Sequence, residues 1–170
     1  MISLELMSKE NSIDIYSFEK ENQKYFEQNL LPRSINYFDL ESFKEITNEL
    51  LVEQDNHEVY MHLIRDSNGI IVGRINLIVL GSDKKTAELG YRIGENYTNL
   101  GYASEAVKIV LDKAFNIYGL NRIIAGTAID NFASKKVLIK NGFIFSKIIE
   151  NDLKINNKWV HTEVFEITNL

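Results

Sequence analysis

Between Ala87 and Ile129 the hydrophobic pattern changes period twice, and that change constrains how the rest of the chain folds around it. Ala87-Glu88-Leu89-Gly90-Tyr91-Arg92-Ile93 alternates, with Ala87, Leu89, Tyr91 and Ile93 on one face, as a half-buried strand does. Ala103, Val107, Val110, Leu111, Ala114, Phe115 and Tyr118 then recur at helical spacing up to Gly119. Arg122 to Ile129 reads as a buried strand. A strand, a helix and a strand in succession make a crossover whose two strands run parallel.

The flanks follow other patterns. Ile15, Phe18, Tyr25, Phe26 and Leu30 approximate one helical stripe that Pro32, the only proline, ends. Asp39 is a good N-cap for a second helix carrying Leu40, Phe43, Ile46, Leu50 and Leu51 inward. Val59–Ile64 and Ile70–Val79 flank Asp66-Ser67-Asn68-Gly69, a strong hairpin signal. After the crossover a helix is expected from Phe132 to Asn141, with Gly142 at its left-handed cap. Phe143–Ile149 and Trp159–Ile167 form a last strand pair. The order is ααββ and then β-α-β-α-β-β. The fold class expected is α/β: a mixed, mostly antiparallel sheet with helices on both faces and one central β-α-β crossover. With no repeat, low-complexity tract or Pro/Gly/Ser-rich linker, residues 1–170 are expected to form one domain.

Composition removes several function classes. The formal charge of −5 is the wrong sign for a protein that binds nucleic acid through a basic face. No cysteine is present, which excludes disulfides, thiolate metal sites and a cysteine nucleophile. No metal site is expected. Met1 to Glu5 lacks a basic region followed by an apolar run, and Arg74 and Asn76 interrupt the apolar segment Ile70–Leu80. A cytoplasmic protein with no membrane partner is expected, as a monomer or homodimer.

The chemistry is concentrated between Glu88 and Ala106. A strand leads into a short loop, Asn99-Leu100-Gly101, and the loop opens a helix. N–H groups at a helix start have no intrahelical partner, and with the helix dipole they attract anions. Small residues at Gly101, Ala103 and Ser104 let a phosphate approach the backbone. The same segment also reads as an ordinary strand-to-helix turn, since neither G-x-G-x-x-G nor G-x-x-x-x-G-K-[ST] is present.

Three motifs then occur in order: Ala87-Glu88-Leu89-Gly90-Tyr91; Asn99-Leu100-Gly101-Tyr102-Ala103-Ser104-Glu105-Ala106; and Asn131-x-x-Ser134 followed by Asn141-Gly142-Phe143. In these the chain resembles the GNAT acetyltransferase superfamily, within it the branch of ribosomal-protein N-terminal (alanine and serine) acetyltransferases. The resemblance covers roughly Val59 to Ile167. Asn99 stands where the branch has a glycine, and Asn tolerates a positive φ better than other non-glycine residues. Trp159-Val160-His161 stands where the branch often has Trp-x-Asp.

The resemblance implies a GNAT-like fold, acetyl-CoA as co-substrate and an amine acceptor such as a protein N-terminus. It implies that Asn99, Leu100, Gly101, Tyr102, Ala103 and Ser104 cradle the pyrophosphate. It implies that a backbone N–H within Tyr91, Arg92 and Ile93 polarises the thioester carbonyl. Ser134 is implied as the group that protonates the leaving thiolate, with Asn131 binding and orienting the cofactor; Asn131 also reads as a helix cap and Ser134 as a first-turn residue. Tyr118 and Tyr102 are reserve acids, although Tyr118 lies on the apolar stripe. Glu88 is the candidate base, on the face opposite Ala87, Leu89 and Tyr91; it also reads as a solvated strand charge. His62 is a rival base or a structural histidine. Small-amine acetylation and a non-catalytic CoA-binding module remain as alternative functions.

Overall fold

In the computed structural model, which describes residues 1–169, seven strands form one continuous sheet. In chain order the elements are β1 (Ile2–Leu6), α1 (Ser12–Glu21), α2 (Gln23–Phe26), α3 (Leu40–Asp55), β2 (Val59–Asp66), β3 (Ile71–Leu80), β4 (Thr86–Ile93), α4 (Tyr102–Asn116), β5 (Arg122–Ala128), α5 (Phe132–Lys140), β6 (Ile144–Ile155) and β7 (Lys158–Thr168). The strand order is β1-β2-β3-β4-β5-β7-β6, and among the described residues β4–β5 is the only parallel neighbouring pair. The crossover β4-α4-β5 is therefore where the period change places it. The single-domain expectation ran to residue 170, which lies outside the described residues.

The two faces of the sheet are covered by different helices. On one, Val107, Val110 and Ala114 of α4 are fully buried against Ile75, Leu77, Ala87 and Leu89. On the other, Ile15 of α1 and Phe43 of α3 pack on Val59, Met61 and Leu63 of β2. Strand alternation supplies both faces at once, since successive side chains project to opposite sides.

Three sequence expectations change. The long first helix is broken after Glu21, because the Asn22 side chain takes over the local bonding: its Nδ2 donates to Phe18 O at 2.9 Å and its Oδ1 accepts from Glu95 N at 2.9 Å. Only four residues of the remainder, α2, are helical. The strand β1 was not expected; its N-terminal Ile2 is buried and donates its N–H to Glu105 Oε1 at 3.2 Å. The stretch between the two last expected strands, 150–158, is instead the end of a long hairpin that turns on Asn156-Asn157, both at positive φ as a tight hairpin turn requires. β7 also inserts between β5 and β6, so β5 and β6 run parallel but are not adjacent.

The face carrying α1 holds a buried ion cluster. Glu19, 1% exposed, accepts from Arg33 at 2.9 Å, Arg74 at 2.7 Å and Arg92 at 3.0 Å. Arg74 also reaches Tyr37 Oη at 3.3 Å, and Arg92 lies over the Phe26 ring. One carboxylate thus ties α1 to β3, β4 and the segment after Pro32. Burial pushes the Glu19 carboxyl up, but the charges of Arg74, Arg92 and Arg33 together hold it below its ordinary value. Glu19→Gln leaves three guanidiniums without a counter-charge and is expected to cost about 3–5 kcal/mol in denaturant unfolding at pH 7. The folded-state value is depressed, so this stability is present above the unfolded carboxylate value and is lost as pH falls through the folded one. The gap between wild type and Glu19→Gln should accordingly narrow in acid; a constant gap counts against ion pairing as its source.

Candidate active site

β4 is held by two neighbours that release it at different points. It pairs with β3 along its whole length, from Leu80↔Thr86 to Gly73↔Ile93. It pairs with β5 only at Thr86↔Arg122, Ala87↔Ile123 and Glu88↔Ile124. Beyond Glu88 the parallel strands fork, and the outer edge of β4 is unpaired. The Gly94 N–H donates to Val72 O at 2.9 Å, on the β3 side. Alternation then directs the N–H groups of Tyr91 and Ile93 into the fork and that of Arg92 toward β3. This corrects one expectation: Arg92 does not offer its N–H to the fork, and its side chain belongs to the Glu19 cluster.

The helix α4 opens at the mouth of this fork. Asn99 and Gly101 both adopt positive φ, 62° and 82°, so the Asn-for-Gly exchange preserves the loop. Gly101 caps α4 in the left-handed conformation, and an added Cβ there would meet nothing within 4 Å. The N–H groups of Asn99, Leu100, Gly101, Tyr102, Ala103 and Ser104 donate to no protein acceptor among the described residues. Six backbone donors at a helix N-terminus suit a pyrophosphate. The Ser104 hydroxyl accepts from Asn141 Nδ2 at 3.3 Å, which ties this end of α4 to the end of α5.

Across the fork, α5 begins at the Asn131 cap. Asn131 Oδ1 accepts from the Ser134 N–H at 3.1 Å, so the capping reading of Asn131 holds. Ser134 Oγ lies 3.0 Å from Tyr91 Oη, a hydrogen bond between the first turn of α5 and the forked part of β4. Burial raises the Tyr91 phenol, and the bond to Ser134 opposes that shift. The sequence reading assigned Tyr91 a backbone role alone. Its strand pattern places the ring on the α4 face, but nothing local predicts a partner 43 residues away.

Glu88 sits at the branch point on the opposite face and is exposed, as the alternation requires. Gly90 and Arg92 share that face, across from Asn76 and Arg74 of β3. His62 and Tyr118 fall elsewhere. His62 is 1% exposed, with Nδ1 on Ile75 O at 3.2 Å and Nε2 on Tyr118 Oη at 2.8 Å. Burial pushes His62 down to about 4 and Tyr118 up to about 12. Tyr118 stacks on Tyr60 with ring centroids 3.7 Å apart. This is a structural group between β2 and the end of α4, so both drop out as catalytic candidates. Tyr102 packs against the main core as the first residue of α4. His161 Nδ1 accepts the Asn151 N–H at 2.9 Å and stabilises the bulge in β6. Asn156 Nδ2 at the hairpin tip donates to Gln28 O at 3.2 Å, which brings the β6–β7 tip against the N-terminal segment.

Two variants test this geometry. Gly101→Val places a branched side chain at a positive φ and over the free amides; it should abolish the rise in melting temperature that saturating acetyl-CoA gives the wild type by mass action. Tyr91→Phe removes the partner of Ser134 and should lower kcat about tenfold while leaving the Kd for CoA within twofold; combined with Ser134→Ala, it should add little to the loss that Ser134→Ala causes alone. Independent, multiplying losses would separate the two hydroxyls.

The comparisons with known proteins bear on the same elements. Residues 8–144 match the family model described as an acetyltransferase (GNAT) domain. Over 98% of this chain and 91% of its own length, a probable N-acetyltransferase, YjcK, of Bacillus subtilis (strain 168) is 30% identical. Solved structures that share the fold include two acetyltransferases. A ribosomal-protein-S5-alanine acetyltransferase from Vibrio fischeri superposes with a TM-score of 0.92 at 22% identity, covering 99% of this chain and 93% of that one. A spermidine N-acetyltransferase from Vibrio cholerae, solved with CoA and spermine, gives 0.84 at 17% identity, covering 98% and 95%. With a forked β4–β5 pair, a helix start rich in free amides and a family match over most of its length, the chain belongs to the GNAT acetyltransferase family.

Proposed function

We propose that this acetyltransferase, which draws its acetyl group from acetyl-CoA, delivers it to the α-amine of a peptide or protein N-terminus. Solved relatives of the fold act on amines as different as a ribosomal protein and spermidine, so the fold does not choose between them. The observation that carries the choice is charge. The open face of β4 runs from Glu88 into the cluster of Arg33, Arg74 and Arg92, where three guanidiniums face the single carboxylate Glu19. Glu27, held by Gln23 at 2.9 Å, lines the adjoining hollow and offsets one more charge. The excess remains positive. A polycation pays electrostatic repulsion there, whereas an N-terminal peptide presents one ammonium followed by carbonyl oxygens.

In this reading the pyrophosphate lies on the amides of Leu100 to Ser104 and the thioester enters the fork. The N–H of Tyr91 or Ile93 polarises its carbonyl. The amine approaches from the Glu88 face, gives up a proton to Glu88 directly or through a water, and attacks the carbonyl carbon. A C–N bond forms and the C–S bond breaks; the nitrogen loses its second proton to solvent as the amide forms, and the thiolate takes a proton from Ser134 on the α5 side, whose hydroxyl, hydrogen-bonded to Tyr91, is restored by a proton from solvent. Asn131 fixes the turn that presents Ser134. Proton demand also favours the α-amine. Deprotonation at pH 7 costs about 1.4 kcal/mol for an amine near pKa 8 and about 4.6 kcal/mol for a lysine near 10.4. An exposed carboxylate suffices for the first and is a weak base for the second. We place this activity in the cytoplasm, where acetyl-CoA and unmodified N-termini occur together; among the described residues no helix is long and apolar enough to cross a membrane.

A competition assay tests the proposal. Acetyl-CoA is supplied with equal amounts of a lysine-free peptide with a free α-amine, a peptide with a blocked α-amine and one lysine, and spermidine. The α-acetylated peptide should dominate the products by about tenfold or more. Dominant acetyl-spermidine would favour the small-amine reading, and no product with any amine would favour a CoA-binding module. With the α-amine peptide, Glu88→Gln should depress kcat/KM most near neutral pH and recover by about pH 8 to 9, where the free amine arrives deprotonated. Parallel pH profiles for wild type and variant would return Glu88 to the role of a surface charge.

A further inference from the structure

In the Glu19 cluster the carboxylate is saturated and the arginines are not. Glu19 Oε1 accepts from Arg33 Nη2 at 2.9 Å and Arg74 Nη1 at 2.7 Å; Oε2 accepts from Arg33 Nε at 3.4 Å and Arg92 Nη1 at 3.0 Å. Four accepted bonds use the lone pairs of a carboxylate, whereas each guanidinium carries five N–H donors in a fixed fork. Among the described residues, Arg33 Nη1 and Arg92 Nε and Nη2 donate to no protein acceptor. These nitrogens are not buried orphans, since the buried side-chain nitrogen and oxygen atoms without a partner among the described residues belong to Asn76 and Thr162. They keep access to solvent: the Arg33 side chain is 32% exposed and that of Arg92 17%, against 5% for Arg74.

Both planes are fixed. Arg33 lies over the Tyr37 ring and Arg92 over the Phe26 ring, each 4.8 Å from the centroid. With one face stacked and one edge on Glu19, each guanidinium holds its remaining donors in place. Both arginines line one hollow, together with Phe26, Glu27, Leu31 and Phe38. Charge points the same way. Besides Glu19 the hollow has one carboxylate, Glu27, whose Oε1 accepts from Gln23 Nε2 at 2.9 Å. Three guanidiniums against two carboxylates leave one positive charge, which a single further carboxylate neutralises. Burial, joined by the charges of Arg33 and Arg74, holds Arg92 below its ordinary value although Glu19 opposes that shift.

We propose that the unused donors of Arg33 and Arg92 form a subsite for a carboxylate carried by the acceptor itself. This rests on the acetyl-transfer reading and adds to it which acceptors are preferred. Arg92 lies between Tyr91 and Ile93, whose N–H groups face the fork, and its side chain joins Glu19 on the α1 face. An acceptor that enters on that face and attacks at that level of β4 has its next residues beside the hollow, because an extended chain advances about 3.3 Å per residue. An aspartate or glutamate at the second or third position of a peptide supplies the carboxylate; the α-carboxylate of a free amino acid supplies the same group. Charge-assisted bonds from a guanidinium distinguish a carboxylate from the isosteric amide, which has no charge and half the acceptor capacity.

The test uses the intact chain and C-terminally amidated peptides with a free alanine α-amine, so that one side chain is the only carboxylate. Peptides with glutamate at position two or three are compared with their glutamine isosteres, and free alanine is the amino-acid arm. Steady-state rates are read with each acceptor varied, and peptide Kd is measured by calorimetry on the CoA-bound protein, where no transfer occurs. In the wild type the better glutamate peptide should exceed its isostere in kcat/KM by about tenfold or more, mostly through KM, with a matching difference in Kd. Arg33→Gln, which leaves Arg74 and Arg92 on Glu19, should bring that ratio within twofold, and Arg33→Lys, which keeps the charge without the fork, should retain part of it. Equal glutamate and glutamine peptides beside a turnover of alanine that Arg33→Gln lowers about tenfold would keep the subsite and assign it to the α-carboxylate of a free amino acid. Were the cluster structural alone, glutamate and glutamine peptides would be acetylated equally and Arg33→Gln would lower the melting temperature without changing any preference among acceptors. That result, or a glutamate preference that survives Arg33→Gln in full, overturns the subsite and leaves the acetyltransferase reading standing. A wild type that acetylates no amine overturns both.

Discussion

The structure depends on a conflict over β4. Its antiparallel ladder with β3 runs from Thr86 to Ile93, while its parallel ladder with β5 ends at Glu88. β5 is committed elsewhere, to an antiparallel ladder with β7 along Arg122 to Ala128. Each strand follows the partner it pairs with for longer, and right-handed twist carries the two halves of the sheet apart. Past Glu88 the β4 edge keeps backbone donors that no neighbouring strand consumes. An unpaired edge inside a sheet carries a cost unless something else binds it. In the function proposed above, that something is the donor thioester.

In the proposed reaction the fork also separates the two proton transfers. Tyr91 projects toward α5, where Ser134 meets it at 3.0 Å. Glu88, Gly90 and Arg92 project to the other face, toward the N-terminal helices and the Glu19 cluster. A period of two thus sends Tyr91, bonded to the proposed acid Ser134, and the proposed base Glu88 to opposite sides of one strand. The Asn156–Gln28 contact joins the parts of the chain whose sequences carry the fewest motifs, on the side where the proposed acceptor enters. Acceptor choice can then vary while the donor machinery stays fixed.

What the sequence made legible was local. The Asn68-Gly69 turn, the left-handed Asn99 and Gly101, the Asp39 cap on Ser42 and the Asn131 cap on Ser134 each follow from residues within four positions of one another. What it hid was non-local. Glu19 reads as one more helical glutamate until Arg74 and Arg92, from strands 55 and 73 residues away, reach it. The insertion of β7 between β5 and β6 is likewise invisible in the pattern, because a hairpin can lie against a sheet by either strand. β1 was lost for a different reason: five residues with only Ile2 buried give too short an alternation to read. Asn22 broke a helix that its apolar spacing supported, through one side chain answering two backbone groups.

The account's central claim is that the free amides of the fork and of the α4 start hold the donor. Amide hydrogen exchange resolved to single residues tests it most directly. Adding saturating CoA should slow exchange at Leu100 through Ser104, and adding acetyl-CoA should slow Tyr91 or Ile93 as well, with no comparable change at Arg92, whose N–H already faces β3. Unchanged exchange at the α4 start, or protection confined to another surface, would contradict the account.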